Sequence, residues 1–120
     1  DAAGLAAAYR AASLTLLPSV ADNFPFVALE SFACRRPVVA FDVGGFGELV
    51  GKNERGTLVP AFDVDGMAAA INDFLADEAD AEQRGAAAQR WVTEICDFDR
   101  YLERVVKAYD LAKQTIGRSA

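Results

Sequence analysis

Leu5, Ala8, Tyr9 and Ala12 recur at the spacing of one helix face, and the apolar run "LTLLPS", closed by Pro18, follows as a buried strand. A second helix is expected to start near Asp22 to Pro25, because Asx residues cap helices and proline suits the first helical position, and to run to about Cys34. "PVVAFD" reads as a second strand, "GGFGELV" as a turn with a short helix, and "GTLVP" as a third strand. None of these strands alternates, which predicts burial on both faces. Continuous apolar strands separated by helices predict parallel βαβ units. Beyond residue 62 the pattern is helical throughout. Asp63 is expected to cap a helix carrying Met67, Ile71, Phe74 and Leu75, and Asp80 with Gln83 reads as a capping box for one carrying Ala88, Trp91, Val92 and Ile95. Phe98, Leu102, Val105 and Tyr109 line a last helix, and "ADEADAEQRGAAAQ" reads as a solvated, charged hinge between helices.

At 120 residues the chain has room for one domain or part of one. Twelve Lys and Arg against 18 Asp and Glu make it acidic, which argues against a nucleic-acid partner and against a basic membrane-binding patch. No apolar run reaches the roughly 18 residues that span a bilayer, and no signal-peptide layout opens the chain, so a cytoplasmic location is expected. Histidine is absent, which removes the commonest general base and the Ser-His-Asp triad. Cys34 and Cys96 have no metal-ligand spacing and read as buried thiols. The chain opens directly on a helical pattern without an initiator Met, so a piece of a longer polypeptide is expected.

In an open parallel sheet, ligands bind beyond the carboxyl ends of the strands, which directs attention to Pro18 to Phe26, Asp42 to Glu48 and Pro60 to Asp63. The first loop delivers Asp22, Asn23 and a helix N-terminus whose free N–H groups suit an anion or sugar hydroxyls. Glu30, expected about two turns into that helix, is a carboxylate in an otherwise apolar run, flanked by Phe26, Val27, Leu29 and Ala33, which are expected to pack the sheet. Spacing alone also allows Asp22 to be a cap and Glu30 merely to benefit from the helix dipole. The second loop supplies Gly44, Gly45 and Gly47, which permit close backbone approach to a ligand. It lacks the glycine order of a dinucleotide fold and the Lys-Ser/Thr of a phosphate loop.

Taken together, "YRAASLTLLPSVADNFPFVALESFACRRPVVAFDVGGFGELV" and "RGTLVPAFDVDGMAAAI" resemble the second half of the C-terminal, donor-binding domain of a retaining GT-B glycosyltransferase of glycosyltransferase family 4. The likeness covers nearly the whole chain. The family pattern of two acidic residues separated by seven, then A-C-G-T-P-V-V and D-x-G-G-x-x-E, falls on Asp22, Glu30, Ala33, Cys34, Pro37, Val38, Val39, Asp42, Gly44, Gly45 and Glu48. "DFDRYLERVVKAYDLA" is similar to the family's closing helix.

The resemblance implies an α/β, Rossmann-like parallel sheet of about three strands, half of a GT-B C-terminal domain, with helices on both faces. Residues 1–62 would form a βαβ core and residues 63–120 a helical tail. It also implies roles: Glu30 hydrogen-bonds the ribose hydroxyls of a nucleotide-sugar donor, and Asp22 is the catalytic residue facing the donor sugar near its anomeric carbon. Asn23, Phe24, Phe26, Val27, Gly44 and Gly45 complete the donor site. No metal and no cofactor is implied. Three positions depart from the pattern: Asp22 stands for the usual Glu, Pro25 for a glycine, and Arg35–Arg36 for Gly-Thr, the arginines being expected in a solvated position.

The implied activity is transfer of a sugar from a UDP- or GDP-type donor to a sugar or lipid-linked acceptor, in polysaccharide or glycolipid synthesis. The family's diphosphate-clamping Arg and Lys and its acceptor domain lie on sequence not present here, so this piece alone is expected to be inactive. It is also expected to self-associate through a bare sheet edge. A lipid-linked acceptor would bring the parent to the inner face of the membrane through sequence outside this chain. The rival expectations are a non-catalytic nucleotide-binding or assembly module and a nucleotide-sugar epimerase of the same architecture.

Overall fold

A computed structural model describes the backbone of residues 1–118 and the side chains of residues 1–115. In chain order the elements are α1 (Ala2–Ala11), β1 (Thr15–Leu17), α2 (Phe26–Ala33), β2 (Val38–Phe41), α3 (Phe46–Val50), β3 (Gly56–Val59), α4 (Val64–Ala76), α5 (Glu78–Ile95) and α6 (Phe98–Arg118). The three strands form one parallel sheet in the order β1-β2-β3, with Thr15 opposite Val38 and Val38 opposite Gly56.

Successive side chains of a strand point to opposite faces, and on β2 both faces are covered. Val38 and Ala40 join Phe32 of α2, Phe46 and Leu49 of α3 and Val92 of α5 in one core cluster. Val39 and Phe41 join Val59 with Met67, Ala70 and Phe74 of α4 in the other. That is the α/β, doubly covered sheet the continuous apolar runs predict. β1 departs from it. Leu16 is 43% exposed because it lies on the face covered by α4, and α4 packs on β2 and β3 and leaves β1 largely uncovered.

Helix boundaries differ from expectation at two places. α2 begins at Phe26, with Pro25 as N-cap and no side-chain cap bond. Asp22 sits too early to cap it; its Oδ1 accepts from Phe24 N at 3.2 Å and closes a turn inside the loop. Glu30 is accordingly the fifth residue of α2, little more than one turn in. Asp63 caps α4 through Gly66 N as expected, but Asp77, not Asp80, caps α5 by accepting from Asp80 N. The expected solvated hinge is nearly all inside α5, which buries Ala81, Gly85 and Ala88. Small residues here permit close packing: a β-carbon on Gly85 would lie 2.3 Å from the Arg35 carbonyl oxygen.

Arg35 adopts φ 62, the left-handed conformation that commonly ends a helix on glycine, and pairs with Glu82 at 3.5 Å across a half-exposed surface. Arg36 is less solvated than expected, since it donates to the Arg10 carbonyl and its Nε is buried without a partner. The thiols also differ from expectation: Cys34 is half-buried and Cys96 exposed. Arg55 went unsignalled in the sequence. It is buried, lies 4.4 Å over the Trp91 ring and donates to the Leu49 and Glu48 carbonyls, satisfying the end of α3. Desolvation lowers its pKa from the ordinary arginine value. On α6, Phe98, Leu102 and Tyr109 stay exposed.

Candidate functional site at the carboxyl ends of the strands

The loops after β1, β2 and β3 gather at one end of the parallel sheet. Two of them are locked backbone to backbone. Gly45 N donates to the Asp22 carbonyl at 3.2 Å, and Gly44 holds φ 52. A β-carbon on Gly44 would fall 1.8 Å from Asp22 O, and one on Gly45 would fall 1.7 Å from Asn23 O, so only glycine admits this contact. Asp22, Asn23, Phe24, Gly44 and Gly45 are thereby brought together. Both glycines have a packing task that needs no ligand.

Asp22 is partly buried and Asn23 exposed. The Phe24 N–H is spent on Asp22 Oδ1, and Pro25 has none to give. The first-turn N–H groups of Phe26 and Val27 have no intrahelical acceptor, as at any helix start. With the exposed Asn23 amide, they are donors this loop offers.

α2 turns Ala28, Leu29, Ser31 and Phe32 inward. Phe26 is 75% and Val27 44% exposed and Ala33 is exposed as well, so of the four flanking residues only Leu29 packs inward as expected, and Phe26 and Val27 face outward with Glu30. Phe24 is exposed as well. Glu30 does not stand alone: the Tyr9 hydroxyl, reaching over from α1, donates to its Oε2 at 3.0 Å. Burial first, and then the bond to Glu30, raise the Tyr9 pKa above its ordinary value, so the phenol is a protonated donor at neutral pH. Spacing had placed Tyr9 only on an apolar helix face; its polar tip was the unused signal.

The loop after β3 adds Phe62, which sequence reasoning also passed over. Phe62 holds φ 66, an uncommon conformation for an aromatic residue, and is 73% exposed, with its ring 6.2 Å from that of Phe41. Chemically, this end of the sheet offers two carboxylates with oxygens left over from protein hydrogen bonds, free helix-start N–H groups and exposed aromatic faces. Such a set suits a ligand rich in hydroxyls with a flat ring. Among the described residues no group of three or more His, Cys, Asp or Glu comes together in a way that could hold a metal ion.

Comparison with known proteins gives consistent matches. The family model described as glycosyl transferases group 1 matches residues 3–91. D-inositol 3-phosphate glycosyltransferase of Thermomonospora curvata is 37% identical over 116 residues, which is 97% of this chain and 27% of the relative. Glycogen synthase of Mycobacterium tuberculosis is 34% identical over 114 residues, 95% of this chain and 28% of the relative. Among solved structures, sucrose-phosphate synthase from Thermosynechococcus elongatus superimposes with TM-score 0.83 at 33% identity, covering 93% of this chain and 28% of that protein. The Anabaena protein HepE, solved in complex with UDP, shares the fold with TM-score 0.74 at 23% identity, covering 84% of this chain and 29% of HepE. The chain thus spans little more than a quarter of the length of the proteins it matches.

Proposed function

Because the chain belongs to the glycosyl transferases group 1 family, we propose that it is the donor-binding portion of a retaining GT-B glycosyltransferase. The whole polypeptide would move a sugar from a UDP- or GDP-type donor to a sugar or lipid-linked acceptor, in polysaccharide or glycolipid synthesis. One observation carries this: the loop of Asp22 to Phe24 is locked to Gly44–Gly45 at the carboxyl end of the sheet, on the same chain segment as an outward-facing Glu30.

In this proposal Glu30 accepts hydrogen bonds from the two ribose hydroxyls, for which a carboxylate has enough lone pairs. Asp22, the catalytic residue, lies beside the donor sugar and stabilises positive charge as it develops at the anomeric carbon. The Phe26 and Val27 N–H groups take sugar hydroxyls or a phosphate oxygen at the helix start, with Asn23, Phe24, Gly44 and Gly45 shaping the loop floor. The leaving diphosphate is neutralised by groups elsewhere in the polypeptide, and α4 and α5, the first part of the 63–120 tail, brace the 1–62 core. The enzyme works in the cytoplasm, at the inner membrane face if its acceptor is lipid-linked.

The test is turnover by the full-length polypeptide given UDP-glucose and GDP-mannose. Release of free nucleoside diphosphate is expected from one of them. Binding without any turnover would instead make the chain a silent nucleotide-binding module, and conversion to an epimeric nucleotide-sugar would make it an epimerase.

A further inference from the structure

Glu30 lies on the surface of α2, where a free glutamate side chain samples many rotamers, and immobilising it on a ligand costs conformational entropy. The structure removes part of that freedom in advance. Tyr9 comes from an element 21 residues away in sequence and spends its hydroxyl on Oε2 alone. Its own helix is tied down beside α2, since the Arg36 guanidinium and the Cys34 thiol donate to the Arg10 and Ala6 carbonyls. Tyr9 itself is partly buried, so its ring is held while its hydroxyl reaches the carboxylate. Among the described residues Oε1 has no hydrogen-bond partner.

We propose that Tyr9 is a positioning residue: it fixes the Glu30 carboxylate by one oxygen so that the remaining lone pairs are presented as a preformed acceptor for a vicinal diol. This rests on the assignment of Glu30 to the ribose hydroxyls. It adds that selection of ribonucleotides over deoxyribonucleotides is set by α1 as well as by α2. A carboxylate held in place discriminates more sharply than a mobile one, because the diol need not meet the cost of ordering it.

The test uses the full-length polypeptide and calorimetric affinities for UDP, GDP and ADP, each against its 2′,3′-dideoxy counterpart. The readout is the ratio of the two affinities for whichever base binds. The unaltered protein is expected to prefer the ribonucleotide by about tenfold or more, from hydrogen bonds to a charged group. Tyr9→Phe, which keeps the ring and removes only the hydroxyl, should cut that preference to about two- to threefold while sparing the dideoxynucleotide affinity. Glu30→Ala should bring the ratio near one, and adding Tyr9→Phe to it should change nothing further.

A Tyr9 that only packs α1 against α2 would weaken both nucleotides equally or lower the melting temperature with the ratio unchanged, which overturns the proposal. If Glu30→Ala collapses the ratio and Tyr9→Phe leaves it intact, the positioning role fails and the ribose assignment survives. If Glu30→Ala itself leaves the ratio unchanged, or none of the nucleotides binds, both fail together.

Discussion

Gly45 has no room for a β-carbon, because the Asn23 carbonyl oxygen occupies the place where it would stand. Gly45→Ala therefore has to push the loop of Asp22 to Phe24 away from β2. Overpacking of this kind costs about 1–3 kcal/mol. The expected outcome is a lower melting temperature together with weaker nucleoside diphosphate binding in the full-length polypeptide; an alanine that changes neither would contradict the locked-loop geometry. The need for glycine was legible in "DVGGFGELV" as a need for close backbone approach. What approaches was not legible, since the partner carbonyls belong to a segment far away in sequence and the pattern reads equally as room for a ligand. Asp22 shows the same gap. An Asx residue just ahead of a helix reads as its cap, yet here Asp22 folds back on Phe24 N, and the helix starts on Pro25 without a side-chain cap. Arg55 left no local trace, because its acceptors are carbonyls that become orphaned only when α3 ends at Val50.

β2 and β3 follow directly from their apolar runs, since a strand covered on both faces has no polar side to alternate. β1 has the same composition, but α4 packs on β2 and β3 and leaves β1 largely uncovered on that face, so its Leu16 stays exposed at one of the two sheet edges. The apolar character of its outer side is then a demand for a partner. An edge strand with unpaired backbone groups and apolar side chains recruits another chain. Residues 1–120 prepared alone are expected to self-associate, with sedimentation coefficients that rise as concentration rises. A single monomeric species across a wide concentration range would count against it. Among helices, the α4–α5 junction was misplaced because alanine and glycine in a charged stretch look solvated by composition. Their value is in being small: Ala81, Gly85 and Ala88 let α5 lie close to the turn before β2. α1 was legible as a helix, but its contribution to the candidate site through Tyr9 depends on how α1 docks, which periodicity does not encode.

Over the whole molecule, fold and family were readable from sequence because the pattern from Tyr9 to Val50 is dense in residues whose spacing and type agree at every level. The division of labour at the site was not, since it depends on ligand atoms, and the chain spans little more than a quarter of the length of the relatives it matches. The central claim is that Asp22 and Glu30 do different work on one nucleotide-sugar. The most direct measurement is a pair of values for Glu30→Ala and Asp22→Ala in the full-length polypeptide: nucleoside diphosphate affinity by calorimetry and turnover at saturating donor, each checked against melting temperature. Glu30→Ala should lose about 1.5–3 kcal/mol of nucleoside diphosphate affinity, the range for hydrogen bonds to a charged group. Asp22→Ala should leave that affinity nearly intact and lower turnover, because its interaction with the sugar strengthens only as charge develops at the anomeric carbon. Losses in affinity and turnover that are equal in the two variants and track their melting temperatures would contradict the assignment, leaving Asp22 as a loop-closing residue and Glu30 as a surface carboxylate.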